Sequence, residues 1–392
     1  MTSDSISFIV PTYNRASYLS ACLDSILCQS RPGDEILVVN DGSTDDTAAV
    51  LRRYADRVAV VSKANGGKSA ALNTGLSHTS NPLVWIVDDD DILHPEARAR
   101  LMAQLDADPG ADLAYGRHLR FEEEDGARRY LETGHWLDCH PKGFLAATME
   151  DMFVHQPGML VRRALYEQLH GFSEDLDRSL DYEMLVRLAM AGRASGTSEI
   201  VFFQRVHSGA RGSAGERIAA ADRDGSWLTH DQRIFDRFHK DLPLTAYHPE
   251  RKLEDAQDRR LALLQRGVIM TRKKLWKAAM ADFHAGLDQC SAALSRAEKR
   301  IVRRAFSSKY GCDELLADHR LVSDMTNLAR RSQAGRGLAA AMARGLVWRI
   351  RAALLKGDLT SGMVLGEKAA RLTLASAMPQ SGSALPQEAF VN

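Results

Sequence analysis

Four short β-branched or apolar segments, each followed by a stretch of helical period, constrain the first hundred residues more than any other feature. ISFIV (6–10), EILVV (35–39), RVAVV (57–61) and LVWIV (83–87) are separated by such stretches. After the first segment, Leu19, Cys22, Leu23, Ile26 and Leu27 fall at helical spacing. The chain is helical again from Asp45 to about Tyr54, over SAALNTGL, and after His94-Pro95-Glu96, where proline suits a first turn. A β-α-β-α-β-α-β order predicts an α/β fold with a doubly wound, mainly parallel sheet. Such sheets bind ligands beyond the carboxyl ends of their strands. Here those ends are PTYN (11–14), NDGS (40–43), the KANGGK loop (63–68) and DDDD (88–91), which should open onto one rim.

Further along, LAYGRHLRF reads as a strand, Gln156–Gly171 as a strand then a helix, 180–191 as a helix and EIVFFQRVH (199–207) as a closing strand. From about 240 the chain becomes rich in Ala, Leu and Arg and reads as helices. Residues 263–287 and 354–372 each resemble a helix pair with small residues at the crossing, and a TPR-like repeat is one reading of them. The expected organisation is an α/β domain over 1–240, an α-helical domain over 241–380 and a flexible tail over 381–392.

Charge follows that division. The chain carries 51 Lys and Arg against 51 Asp and Glu, but from residue 240 onward 26 basic residues face 15 acidic ones. An acidic front and a basic back suggest units with different partners. The five cysteines (Cys22, Cys28, Cys139, Cys290, Cys312) are odd in number and form no CxxC, so neither a zinc site nor a disulfide framework is read. No basic leader and no run of about 20 apolar residues is present, which points to a cytoplasmic protein. The basic back half suits a solvated face, peripheral attachment to an anionic membrane surface or a protein partner; no nucleic-acid motif occurs.

Four adjacent carboxylates repel one another unless screened. Asp88–Asp91 follow a buried-looking strand at the ligand edge, where oxygen ligands suit Mg²⁺ or Mn²⁺ holding a diphosphate. A solvated acidic turn is the plainer alternative. Asp41 in NDGS is either a turn residue or a ligand contact, and Asn14 either a pocket residue or a helix N-cap. Gly67-Lys68-Ser69 matches the end of a P-loop, but the position requiring its first glycine is Ser62. A sugar nucleotidyltransferase would want a Gly-rich loop with Arg after the first strand, which PTYN is not.

In order, FIVPTYNRASYLSACLDSILCQS, ILVVNDGSTDDT, NGGKSAALNTGL, WIVDDDDILHP, HGFSEDLDRSLDYEMLVRLAMAG and FFQRVHSG resemble the successive elements of the family 2 inverting glycosyltransferases, which have the GT-A fold. The resemblance runs from Ile6 to about His207. It implies a GT-A domain followed by a helical C-terminal domain, and metal-dependent transfer of a sugar, most commonly from UDP, to a glycan or lipid-linked acceptor, as in bacterial surface polysaccharide synthesis. It places Thr12, Tyr13, Asn14, Asp41, Lys68, Asp88 and Asp89 around the donor, Asp90 and His207 at the metal, and Asp181 as catalytic base. Gln156, Pro157, Gly158 and Met159 would shape the sugar and acceptor pocket. The chain departs from the family pattern at Leu180, where a Glu precedes the base, at His170 for a glycine and at Gln204 for a tyrosine. Asp175 and Asp177 compete for the base role, capping of the helix YEMLVRLAM is the structural alternative for Asp181, and a non-catalytic nucleotide-sugar or glycan-binding module is the rival function.

Overall fold

The computed structural model describes residues 4–124, 127–137, 143–207 and 223–377. The chain divides into two compact units, Met1–His230 and Asp231–Asn392.

The first unit opens with β1 (Ile6–Thr12), α1 (Ala16–Leu27), β2 (Glu35–Asn40), α2 (Thr47–Arg52), β3 (Ala59–Ser62), α3 (Gly67–Ser77) and β4 (Leu83–Ile86). These four strands are parallel, in the order β3-β2-β1-β4. Every residue of β1 and β4 is buried, as a central parallel strand covered on both faces requires. Phe8 of β1 stacks on Trp85 of β4, with ring centroids 5.4 Å apart. Helix α3 lies so close to β1 that a Cβ on Gly75 would sit 2.4 Å from Ile9 Cγ2, so only glycine allows this approach.

The unit continues through β5 (Ile92–Leu93), α4 (Ala97–Ala107), β6 (Leu113–Glu124), β7 (Ala127–Thr133), α5 (Phe144–Glu150), β8 (Met159–Arg162), α6 (Arg163–Gln168), α7 (Leu180–Ala191) and β9 (Ala194–Arg205). They extend one mixed sheet in the order β3-β2-β1-β4-β8-β6-β9-β5, with β7 on β6. β8 runs antiparallel to β4 and β6, whereas β6 and β9 are parallel to each other. The strand expected over 199–207 thus starts earlier, at Ala194, and ends at Arg205. The two-residue β5 pairs with β9 and fixes the chain just after the acidic turn.

Helix α8 (Arg223–Asp241) leads into the second unit, in which α9 (Ala256–Arg272), α10 (Trp276–Gln289), α11 (Arg296–Arg303), α12 (Glu314–Ala317), α13 (His319–Arg331), α14 (Gln333–Leu355) and α15 (Leu359–Ala377) follow. Helices α9 and α10 form the hairpin expected over 263–287; over 354–372, where the sequence predicts a second pair, α14 has ended at Leu355 and α15 alone follows, so the pair there is α14 with α15. A Cβ at Gly267 would lie 2.7 Å from the Phe283 ring, so the small residue sets that crossing. Buried Arg260 grips Glu298 at 2.6 and 3.0 Å. Glu298 also accepts the Ser295 N–H in a capping box that starts α11. Among the described residues no helix is long and apolar enough to cross a membrane.

Candidate active site

The loops after β1 and β2 are bonded to each other before any ligand is considered. Asn14 has a left-handed backbone (φ 54°), and its side-chain oxygen accepts the N–H groups of Thr44 (2.7 Å) and Asp45 (3.3 Å). Asp45 returns the contact by accepting the Ala16 N–H at the start of α1 (3.1 Å). Asn14 therefore precedes the N-cap position, which is Arg15. Asp41 is buried, and both its oxygens are engaged: Oδ1 accepts from Lys63 Nζ and Gly66 N, both at 2.9 Å, and Oδ2 from Gly67 N at 2.8 Å. Its carboxylate occupies the amides that open α3. Those amides are the ones a P-loop would offer to phosphate, so that reading has no cradle here.

The acidic run is a turn closed by Asp91 N–H donating to Asp88 O at 3.1 Å. Asp88 pairs with Lys68 at 2.6 Å. Burial would lower the Lys68 pKa, but Asp88 and then Asp181 outweigh it and hold the ammonium charged. Asp89 is buried, and its Oδ2 has no hydrogen-bond partner among the described residues. Burial, and then Asp90, push its carboxyl up to about 8. Asp90 Oδ2 lies 3.0 Å from His207 Nε2, and the His207 ring packs against Tyr18 at 5.1 Å. Beneath the turn, the Cys22 thiol meets Asp88 O at 3.4 Å, and burial followed by the four carboxylates raises it well above the usual thiol range.

Arg205 fastens this turn to the end of β9. Its backbone N–H donates to Asp91 Oδ1 and its Nε to Asp90 O, each at 3.0 Å. Its guanidinium sits 4.9 Å from the Tyr18 ring and 4.7 Å from the Phe121 ring, and it pairs with Glu123. Sequence reasoning gives Arg205 no role, although it stands two residues before His207 in the same motif.

Asp181 reaches the site from α7. Ser179, in a left-handed conformation (φ 53°), is the N-cap residue, and Asp181 is the second residue of the helix, so the capping alternative is not the arrangement seen. Asp181 Oδ1 accepts the Tyr182 N–H at 2.9 Å, and its charge acts on both Lys68 and Asp88. Glu183 turns away to Arg187 at 2.9 Å, and Asp175 and Asp177 are exposed. The segment before α7 is pinned by Asn73 of α3. Asn73 accepts the Phe172 N–H at 2.8 Å and donates to Phe172 O at 3.0 Å. Asn73 is thus a positioning residue for the loop that delivers Asp181. The NTGL string contains it, but only the distant pairing reveals its use.

On the remaining side, Trp85 Nε1 donates to Pro157 O at 2.9 Å and fixes the turn before Met159, the first residue of β8. Gly158 lies against Gly116 O and the Phe202 ring, each 3.1 Å from its would-be Cβ. Gln156 is buried, and neither its side-chain oxygen nor its nitrogen finds a partner among the described residues; the buried Thr148 hydroxyl is in the same state. Buried polar atoms normally have partners, so these atoms are available to a bound group. The structure thus brings Lys68, Asp88, Asp89, Asp90, Asp181 and His207 to one site. It commits Asn14 and Asp41 to internal bonds, and it leaves Tyr13 half-exposed and Thr12 buried with its hydroxyl beside the Asp89 carboxyl.

Residues 7–170 match the family model "Glycosyl transferase family 2". Over 129 residues the chain is 38% identical to the glycosyltransferase GlyA of Streptococcus pneumoniae serotype 4, covering 32% of this chain and 18% of that protein. It is 29% identical over 206 residues to the chondroitin synthase of Pasteurella multocida, covering 52% and 20%. The matched stretches therefore span about a fifth of these relatives' own lengths. Among solved structures, S. aureus TarS 1–349 superposes with a TM-score of 0.50 at 19% identity, covering 72% of this chain and 88% of that one. The same protein in complex with UDP-GlcNAc gives 0.51 at 20% identity, covering 72% and 89%. At that identity the likeness speaks for the fold, and it agrees with the mixed sheet and flanking helices described above. Sequence signature and architecture coincide over the first unit, where residues 7–170 are similar to glycosyltransferase family 2.

Proposed function

We propose that the chain transfers a sugar from a nucleoside diphosphate sugar, with UDP as the nucleotide, to an acceptor hydroxyl with inversion at the anomeric carbon. The observation that carries this reading is the convergence of Lys68, Asp88–Asp90, Asp181 and His207 from four elements around Asp89, a buried carboxylate with one oxygen unpartnered among the described residues. A cation and diphosphate suit that arrangement. Asp90 and His207 are the residues that would hold Mn²⁺ or Mg²⁺, with Asp89 beside them. Among the described residues no cluster of three or more His, Cys, Asp or Glu has metal-holding geometry. Two protein ligands would leave most of a cation's shell to phosphate oxygens and water, a common habit of Mg²⁺ sites. When bound, the cation offsets charge developing on the departing diphosphate.

The chain's own groups supply the rest. Lys68, held charged by its carboxylate neighbours, offers a positive group beside the diphosphate. Asp181 accepts the proton of the acceptor hydroxyl as that oxygen attacks the anomeric carbon and the bond to the diphosphate oxygen breaks. One base and one direct displacement give inversion. The buried amide of Gln156, next to Gly158 and Met159 and unpartnered among the described residues, supplies donors and acceptors for sugar hydroxyls. A glycan or lipid-linked acceptor, peripheral membrane attachment through the basic second unit and a place in bacterial surface polysaccharide synthesis belong to the same reading. Calorimetry of UDP with the full chain tests it: affinity should rise at least tenfold with Mn²⁺ over EDTA, and equal affinity in both would remove the role given to Asp89 and Asp90. Release of UDP from a UDP-sugar in the presence of acceptor separates an enzyme from a binding module.

A further inference from the structure

Several buried and half-buried cations of the second unit pair with carboxylates: Arg260 with Glu298, Arg266 with Asp282 and Lys274 with Glu314. One cleft gathers half-buried Lys299 and Arg336 with exposed Arg303 and Arg344. It has a volume of about 290 Å³ and lies between the α11 and α14 helices. Lys299 and Arg303 of α11 and Arg336 and Arg344 of α14 all line it, and among the described residues no carboxylate pairs with any of the four. Lys299 and Arg303 are four residues apart and share a helix face, as do Arg336, Ala340 and Arg344. Gly337, Ala340 and Ala341 keep the wall of the cleft low between the charges.

Like charges at this spacing repel and cost stability when nothing sits between them. Concave surfaces lined by one sign of charge focus field and raise the local concentration of counter-ions. Gln333 and Arg336 also belong to the first turn of α14, a 23-residue helix whose amino end favours negative charge. Guanidinium groups bind phosphate oxygens through paired N–H donors. A volume of 290 Å³ lies at the lower end of small-molecule sites. It suits a phosphate or diphosphate group with little attached to it.

We infer that this cleft is an anion site for a phosphate or diphosphate group, built from residues that have no part in donor binding. The group comes either from a soluble phosphorylated compound or from a lipid headgroup, and the chemistry recognised is the same. The inference is independent of the transfer reaction, because none of the four cations belongs to the first unit.

The test uses the full chain in EDTA, so that no divalent cation can carry an anion to the acidic turn. Inorganic pyrophosphate is titrated by calorimetry at low salt into wild type, Arg336→Gln/Arg344→Gln and Arg351→Gln. Arg351 is exposed on α14 and does not line the cleft, so its variant controls for loss of a positive charge elsewhere on the same helix. In parallel, flotation is measured with phosphatidylglycerol and with phosphatidylcholine vesicles. A hydrogen bond to a charged group is worth roughly tenfold in affinity, so the double variant should weaken pyrophosphate binding about a hundredfold while Arg351→Gln stays within twofold. Phosphatidylglycerol binding that the double variant loses, without pyrophosphate binding, assigns the group to a lipid. Absence of both, or equal weakening by Arg351→Gln, overturns the inference. Melting temperatures of all three proteins should agree within about 2 °C, because neither arginine substituted in the double variant has a carboxylate partner among the described residues.

Discussion

Replacing Asp41 by Asn separates two roles that its position allows. The side chain keeps its size and one carbonyl oxygen, but one of its two acceptor sites becomes an amide donor. In the native protein one oxygen accepts from Lys63 Nζ and Gly66 N, and the other from Gly67 N. The least harmful orientation keeps the carbonyl toward Lys63 and Gly66 and turns the NH₂ toward Gly67. The Gly67 N–H then faces a donor, and a buried unsatisfied group costs about 1–3 kcal/mol. The two remaining bonds lose their charge assistance. The Lys63 side chain is 26% exposed, so its share is screened and stays below about 1 kcal/mol. The sum is about 2–4 kcal/mol, which for a unit of this size corresponds to a fall in melting temperature of roughly 5–12 °C. Calorimetric melting of the full chain, following the transition of the first unit, measures it. UDP affinity with Mn²⁺ should fall as well, because the loop before α3 loosens, and the fall should be larger at temperatures nearer the melt. A variant that melts within 1 °C of wild type while losing UDP affinity would refute this reasoning, and would assign Asp41 to the nucleotide instead of to the loop.

Asp181→Asn should lower transfer by about 10²–10⁴-fold, the usual worth of a general base, with UDP affinity changed less than about threefold; Asp175→Asn and Asp177→Asn should remain active, and the reverse pattern would move the base. Asp89 is raised to about 8 in the native protein by burial and then by Asp90, against about 3.9 unfolded. The unfolded chain therefore releases this proton first, and metal-free stability should fall as pH rises from about 4 to 8 and then level off. Binding of Mn²⁺ with UDP needs the ionised form, so affinity should climb between pH 6 and 8 with release of close to one proton, seen as a buffer-dependent heat; a pH-independent affinity would contradict it. Arg260→Ala leaves Glu298 buried without its cation and should destabilise the second unit by about 3–5 kcal/mol, with the first-unit transition and UDP binding unchanged in calorimetry.

The order of elements in the first unit was readable from the sequence because it is set locally. The β-branched runs and helical periods identify β1 to β4 and α1 to α3, and the parallel arrangement follows from their alternation. The same alternation puts PTYN, NDGS and DDDD at the carboxyl ends of strands, so the ligand rim could be named before any coordinate. Helix α7 and the α9–α10 hairpin of the second unit were legible for the same reason, whereas the α14–α15 pair starts at Gln333, well before the expected range. Long-range pairing decided the rest. Nothing near Asp41 in the sequence says that its oxygens are taken by amides 25 and 26 residues later, or that Lys68 is held by Asp88. Asn73 finds its partner 99 residues away at Phe172, and Arg205 reaches back 114 residues to Asp91. The two-residue β5 carries too little periodicity to be seen and exists because β9 offers it an edge. In the second unit the sequence gives an excess of basic charge. Only the packing of α11 along α14 determines which cations meet carboxylates and which four are left facing one cleft, because charge pairing depends on distances that the fold creates.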